Sequence, residues 1–406
     1  MNIALFSDSY IPTKSGIVTV VIQLKKVLEE LGHHVVIVTV GANKEGCPDD
    51  DPNVFRVTSI PSPVGDGQFV GFPHKKEVIA FLKVHKVQII HAHTEFFIGH
   101  LSNVVGKELG IPVVATTHTM WEDYYRYYLS FVGKITPRRV IRRIVRTLYK
   151  KFYFFFNVSE KACNYFRRSF MLPYIPSAII PNAIDSEKFA SRACTQNDKE
   201  ELKRKLGLKE TDKVILYVGR VVEEKRLDNL VEIFKNVVKR STDIKTVIVG
   251  SGARLEKLQE DVENEGLQDK VIFTGFVEWE KLSVYYSIAT AFVTVSLSEM
   301  HSMTILEALS MGVPVVCRYD TSFSDTVFNG ENGFALKSDS EVEECILELC
   351  RNIELCQELS VNSLKISKNF SLEMHGKKIV AFYKEVLAHF PNPVSSEQLE
   401  NAVKNC

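Results

Sequence analysis

The chain has 406 residues, 45% apolar and 25% charged, a globular balance that excludes a wholly disordered protein. At roughly 100–200 residues per domain, two or three domains are expected. Its 50 basic and 50 acidic side chains cancel, which excludes a chain-wide polyanion-binding role and leaves room only for a local basic patch.

The first segment, Met1-Asn-Ile-Ala-Leu-Phe-Ser-Asp8, has no basic start and no long apolar run, so it reads as a strand rather than a secretion signal. A helix is expected from about Ile17 to Leu31, stopped by Gly32. His34 to Val40, Val87 to Ile90 and Val113 to Thr116 read as further short β-branched strands. Ala178 to Ile184 ends this series, and a polar, charged stretch runs from Asp185 to Lys213. A second series then begins: Val214–Val218, Thr246–Val249, Val271–Phe273, Ala291–Val295 and Val313–Val316. Apolar runs alternating with helices predict parallel sheets covered on both faces, that is, two doubly wound α/β domains. The expected boundaries are 1–185 and 186–370, with a helix over 371–390 packing back on the first domain and a frayed polar tail over 391–406. Ligands of such folds sit at the carboxyl ends of the strands, here in a cleft between the two domains.

No run reaches the ~18–20 apolar residues a spanning helix needs, so any membrane contact is expected from the surface. The eight cysteines include no Cys-x-x-Cys pair and no zinc spacing, and read as reduced, buried thiols of a cytosolic chain. Asp49-Asp50-Asp51 lies in a Pro-flanked loop away from every motif and reads as solvated.

Four segments carry chemistry. Ser296-Leu-Ser-Glu299-Met-His-Ser-Met303-Thr304-Ile-Leu-Glu307 follows a strand and opens a helix, where free amides can receive a phosphate. Glu299 and Glu307 are carboxylates able to accept sugar hydroxyls, or else a cap and a paired helix carboxylate. In Gly219-Arg220-Val-Val-Glu-Glu-Lys225 a strand end is followed by two cations suited to a diphosphate, or else solvated. Val249-Gly250-Ser-Gly252 is again strand, turn and helix. It is suited to a nucleotide but lacks the third glycine of a dinucleotide fingerprint, which argues against hydride chemistry. Gly16 lies in the first strand–helix turn, where the missing side chain lets an anion approach the backbone, or simply allows the turn.

Glu299 and Glu307 match the Glu-x7-Glu motif, and Gly219-Arg220 with Lys225 the Gly-Arg-x4-Lys element, of retaining nucleotide-sugar glycosyltransferases of family four, which have the GT-B fold. The resemblance extends from Ile3 to about Phe334. It implies that Arg220 and Lys225 bind the donor diphosphate, Glu299 the sugar hydroxyls and Glu307 the ribose. It also implies that amides near Met303 and Thr304 meet the β-phosphate and that His118 stands near the reacting sugar. No metal and no resident cofactor are implied; the sugar nucleotide is a co-substrate, with UDP-glucose the expected donor and galactose or mannose, and guanosine in place of uridine, left open by the sequence. Many relatives have Gly-Phe-Gly where this chain has Met300-His301-Ser302, so Ser302 either crowds the sugar or caps the helix.

His91-Ala-His93-Thr94-Glu95-Phe96-Phe97 and His118-Thr-Met-Trp-Glu122-Asp123 are similar to bacterial 1,2-diacylglycerol 3-glucosyltransferases, which implies a diacylglycerol acceptor. Between Asp123 and Glu160 no acidic residue occurs, while Arg126, Lys134, Arg138, Arg139, Arg142, Arg143, Arg146, Lys150 and Lys151 do. Ile141, Ile144, Val145, Leu148 and Phe152 recur at helical spacing, with Tyr149, Tyr153 and Phe154–Phe156 extending the apolar side. Such a helix either lies on an anionic membrane surface or packs its stripe into the core. Nucleic acid is a poorer partner, since no recognition motif accompanies the patch. The expected activity is retaining transfer of a hexose to a lipid hydroxyl at the inner membrane face. The rivals are a soluble saccharide or another lipid acceptor, an epimerase, and a non-catalytic nucleotide-sugar-binding membrane protein.

Overall fold

The structure is a computed structural model that describes residues 1–13, 15–41, 51–61, 69–72, 74–128, 135–191 and 195–406. Asp49, Asp50 and Lys134 lie outside the described residues. The chain divides into two units, Met1–Ala183 with Leu372–Cys406, and Ile184–Ser371.

In the first unit the strands are β1 (Asn2–Ser7), β2 (His34–Thr39), β3 (Val54–Arg56), a small antiparallel pair β4 (Ser59–Pro61) and β5 (Phe69–Gly71), then β6 (Ile89–Ala92), β7 (Val113–Thr117), β8 (Phe154–Asn157) and β9 (Ser177–Ile179). Seven of them form one parallel sheet in the order β3-β2-β1-β6-β7-β8-β9. Residues Ile3–Phe6 and Val35–Val38 are fully buried, as expected where helices cover both faces. Leu24 and Val27 of the helix Gly16–Glu30 meet Phe382 and Val386 of the helix Leu372–His389 over Ile3, Leu5 and Ile37.

The tail expected to fray is instead ordered. Ser396–Lys404 is a helix with a capping box between Ser395 and Gln398. Its Leu399 and Val403, four residues apart, are buried, and Ser177 N of β9 donates to Ser396 Oγ at 3.0 Å. A reciprocal cap and two buried apolar side chains on one face offset the polarity that suggested disorder.

The second unit holds β10 (Lys213–Val218), β11 (Ile244–Val249), β12 (Val271–Gly275), β13 (Ala291–Thr294), β14 (Val315–Arg318) and β15 (Gly333–Leu336), parallel in the order β12-β11-β10-β13-β14-β15. The polar stretch before it contains two helices, Ser186–Ser191 and Gln196–Lys205. Each sheet steps outward in one direction and then reverses, so each has a switch point: between β1 and β6 in the first unit, and between β10 and β13 in the second. Loops leaving the carboxyl ends of those strands part there and leave room for a ligand.

Candidate active site

At the second switch point, β10 runs into Gly219 and the loop carrying Arg220 and Lys225. A Cβ on Gly250, whose φ is +145°, would lie 1.8 Å from the Gly219 carbonyl oxygen. The loops after β10 and β11 can therefore touch only with glycine there. Arg220 is half exposed, and its Nη2 donates to the buried carboxylate of Glu224. Lys225 is nearly buried, and its Nζ lies 2.5 Å from Glu299 Oε1, on the loop after β13. This charge-assisted contact spans the point where the strand order reverses. Arg226 follows in the left-handed region, φ +57°, with its guanidinium on Val295 O at 3.3 Å and Asp339 Oδ2 at 3.2 Å. Those bonds hold a backbone conformation that a non-glycine residue adopts at a cost.

The helix Met303–Ser310 opens beside this pair. Ser302 is its N-cap, with Oγ accepting from Ile305 N at 3.4 Å and lying 3.0 Å from Thr304 Oγ1. Of the two readings of Ser302, the helix cap is the one observed. The first amides of the helix, at Met303 and Thr304, have no intrahelical acceptor and point their partial positive charge outward. Glu307 is buried one face further on, and both oxygens are engaged: Trp279 Nε1 donates to Oε1 at 2.9 Å and Tyr286 OH to Oε2 at 2.8 Å. Burial pushes its carboxyl up to about 7.

The first unit carries a different chemistry at its own switch point. His91 and His93 sit at the end of β6 and His118 at the end of β7. Burial holds all three imidazoles below the usual range, His118 at about 4 with His375 adding to the shift. Glu95, also buried, accepts from Trp121 Nε1 and from Tyr149 OH, the latter at 3.1 Å, and burial raises its carboxyl to about 7. Gly16 is the first residue of its helix, behind the N-cap Ser15, and a Cβ there would meet nothing within 4 Å. Packing does not demand glycine at this position.

The basic segment forms the helix Arg138–Tyr149, but its stripe turns inward. Ile141, Val145, Tyr149 and Phe152 are buried, and Phe154–Asn157 is β8, a fully buried strand between β7 and β9, so these residues are core and not a lipid-facing side. Arg142 is also withdrawn from the expected surface. Its Nε and Nη2 grip Glu122 at 2.6 and 2.8 Å, and its guanidinium lies 4.3 Å from the Phe170 ring centre. Arg138, Arg139, Arg143, Arg146, Lys150 and Lys151 are exposed, interleaved with exposed Val140 and Ile144.

Among the sequence-predicted residues, Lys225, Glu299, Met303, Thr304 and Glu307 converge at the second switch point. Arg220 shares the Lys225 loop, and Gly250 holds the neighbouring loop against it. His118 and Gly16 belong to the first unit. Glu224, Trp279, Tyr286, His93 and Glu95 were not predicted. Glu224, His93 and Glu95 lie inside the motifs named above but carried no role there; for Trp279 the advance signal was scarcity, since the chain has two tryptophans and each donates to a buried glutamate. Among the described residues no cluster of three His, Cys, Asp or Glu side chains is arranged to hold a metal ion.

Residues 14–188 match the family described as Glycosyltransferase Family 4, and residues 198–365 that described as Glycosyl transferases group 1. An alpha-monoglucosyldiacylglycerol synthase from Acholeplasma laidlawii is 29% identical over 405 residues, 95% of this chain and 98% of that protein. A protein of the same description from Streptococcus pneumoniae is 29% identical over 394 residues, 95% of this chain and 86% of that one. Among solved structures, Anabaena HepE in complex with UDP superposes with a TM-score of 0.74 at 17% identity, covering 95% of this chain and all of that one. Sucrose-phosphate synthase from Thermosynechococcus elongatus does so at 0.73 and 20% identity, covering 95% and 99%. With both halves matched in chain order and the paired glutamates and cations in place, the chain belongs to the GT-B glycosyltransferases of the family-four type and is a nucleotide-sugar-dependent hexosyltransferase.

Proposed function

We propose that the protein transfers glucose from UDP-glucose to the free hydroxyl of diacylglycerol, with retention at the anomeric carbon. The observation that carries this reading is the Lys225–Glu299 contact across the second switch point, beside a helix whose first amides are free. Glu299 balances the lysine in this arrangement. With a donor bound, Lys225 and Arg220 face the diphosphate and Glu299 is released to the sugar hydroxyls.

As the anomeric bond breaks, negative charge grows on the departing nucleoside diphosphate. Fixed cations and helix amides stabilise that charge without reorganising, so the reaction needs no metal for this purpose. Glu307, oriented by Trp279 and Tyr286, accepts the ribose hydroxyls, and His118 contacts the reacting sugar. The diacylglycerol acceptor is supported by the near full-length similarity to the two synthases named above.

The same reading places the chain in the cytosol, held peripherally on the inner face of the cell membrane. No helix among the described residues is long and apolar enough to cross a membrane. The six exposed cations around Val140 and Ile144 supply a surface for anionic lipid, each contributing ~1 kcal/mol near such a surface.

A donor screen tests the activity. Purified protein is given UDP-glucose, UDP-galactose or GDP-mannose with diacylglycerol in vesicles containing anionic lipid, and the products are read by mass spectrometry. Glucosyl-diacylglycerol is the expected product, and transfer only to free saccharides would overturn the acceptor assignment. Changing Arg138, Arg139, Arg143 and Arg146 together to Gln is expected to release the protein from anionic vesicles; unchanged co-sedimentation would refute the membrane role of this helix.

A further inference from the structure

The imidazoles of His91, His93 and His118 lie in series beside a small cavity whose wall also includes Thr116, Asn182 and His375. The His91 and His93 ring centres are 4.2 Å apart; those of His93 and His118 are 5.4 Å apart, with planes inclined by 21°. His91 has both nitrogens engaged, Nδ1 with Tyr383 OH at 2.6 Å and Nε2 with Thr116 Oγ1 at 2.5 Å. It is a fixed wall behind His93. His93 has one nitrogen engaged: Nδ1 lies 3.1 Å from His118 Nε2, while its own Nε2 is buried with no partner. In His118 the other ring nitrogen, Nδ1, is not buried and has no hydrogen-bond partner among the described residues.

Burial keeps the three rings neutral, and a neutral imidazole carries one N–H. The His93–His118 contact needs one donor and one acceptor, which leaves two arrangements. If His118 donates from Nε2, His93 must carry its proton on Nε2, a buried N–H with nothing to receive it. If His93 donates from Nδ1, its orphan is a lone pair instead, and the His118 proton sits on Nδ1 at the open edge of the ring. Buried N–H groups without an acceptor are the rarer defect.

We propose that His93 is a positioning residue that fixes His118 as its Nδ1–H tautomer, so that His118 presents a hydrogen-bond donor, not an acceptor, to the oxygen atoms of the sugar nucleotide. The consequence for catalysis rests on the reading of His118 as an active-site residue; the tautomer itself does not. A donor aimed at an oxygen of the donor sugar holds that sugar for attack, and the tautomer is set by the neighbouring ring, as it is for other functional histidines.

The experiment uses the full chain labelled with ¹⁵N-histidine. Long-range proton–nitrogen spectra at pH 7.5 are assigned to His118 by the signals that disappear in His118→Asn. The expected wild-type pattern is protonated Nδ1 and bare Nε2; the reverse pattern would overturn the proposal. In His93→Phe the ring remains but the donor is gone, and kcat is expected to fall about tenfold, the scale of one hydrogen bond, with a mixed His118 tautomer. In His93→Asn the amide replaces Nδ1–H and kcat and tautomer are expected to recover. A His93→Phe protein with wild-type kcat and an unchanged His118 spectrum refutes the role of His93. Normal turnover of His118→Ala would instead overturn the active-site reading, while the wild-type spectrum still decides the tautomer.

Discussion

Each unit buries one glutamate between an indole N–H and a tyrosine hydroxyl. Glu95 is held by Trp121 and Tyr149, Glu307 by Trp279 and Tyr286, and burial raises both carboxyls to about 7. The chemistry is the same, but the connections differ. The Glu307 clamp lies within the second unit: Glu307 is part of the helix Met303–Ser310, and both of its donors come from one neighbouring stretch, 279–287. The Glu95 clamp draws its donors from two other elements, the helix after His118 and the basic helix, and so ties three segments of the first unit together. A clamped carboxyl can thus present an acceptor to a ligand or cross-link a fold, and its neighbours decide which.

The difference can be broken by substitution. Lys225→Ala, which removes one of the two cations assigned to the diphosphate, is the reference for the largest loss. It should cost roughly 3–4 kcal/mol of transition-state stabilisation, seen in kcat/KM, and near-normal turnover would remove the donor site from this loop. Glu307→Gln should lower kcat/KM for the donor by about 10- to 100-fold, the worth of charge-assisted hydrogen bonds. It should also flatten the rise in donor KM expected as pH falls below about 7, where Glu307 gains a proton. Glu95→Gln should leave kcat/KM within about threefold if its clamp is structural. Equal kinetic losses in the two Gln variants would erase the distinction.

Stability gives a third test. Each carboxyl titrates near 7 in the folded chain against 4.5 as the reference value, so the native state holds the extra proton between those limits. Stability is therefore present below about 4.5 and declines as pH rises through 7, by up to on the order of 3 kcal/mol per site. Urea midpoints at pH 5 and pH 8 should differ less in Glu95→Gln than in the wild type; an identical difference would show that Glu95 does not titrate as a buried acid. The smallest effect is expected at Arg142. Because its guanidinium grips Glu122, Arg142→Gln should lower stability by about 1–2 kcal/mol while leaving vesicle binding nearly intact. Loss of vesicle binding with unchanged stability would return Arg142 to the lipid-facing set.

Much of this was legible in the sequence, for reasons that also explain the failures. Fully buried parallel strands must be continuous apolar runs, so Ile3–Phe6, Val35–Val38 and Ile215–Val218 announce themselves. Lys225 and Glu299 were assigned by motif to different parts of one donor, but their mutual contact was not foreseen, since nothing in a separation of 74 residues predicts it. Periodicity found the helix Arg138–Tyr149 and its stripe, but an apolar stripe looks the same whether it faces lipid or a β-sheet. Only the partner, here Glu95 and Glu122, separates the two. The final helix was missed because its nine residues contain only two that are buried, Leu399 and Val403 alongside Leu372–His389.

That last helix has a practical consequence for handling the protein. β9 is the outermost strand of the first sheet, and the helix Ser396–Lys404 lies against it, with the Ser396 hydroxyl taking up the amide of Ser177. Trimming the chain at the end of the preceding helix would take that partner from the Ser177 amide and bare the outer edge of β9 to self-association.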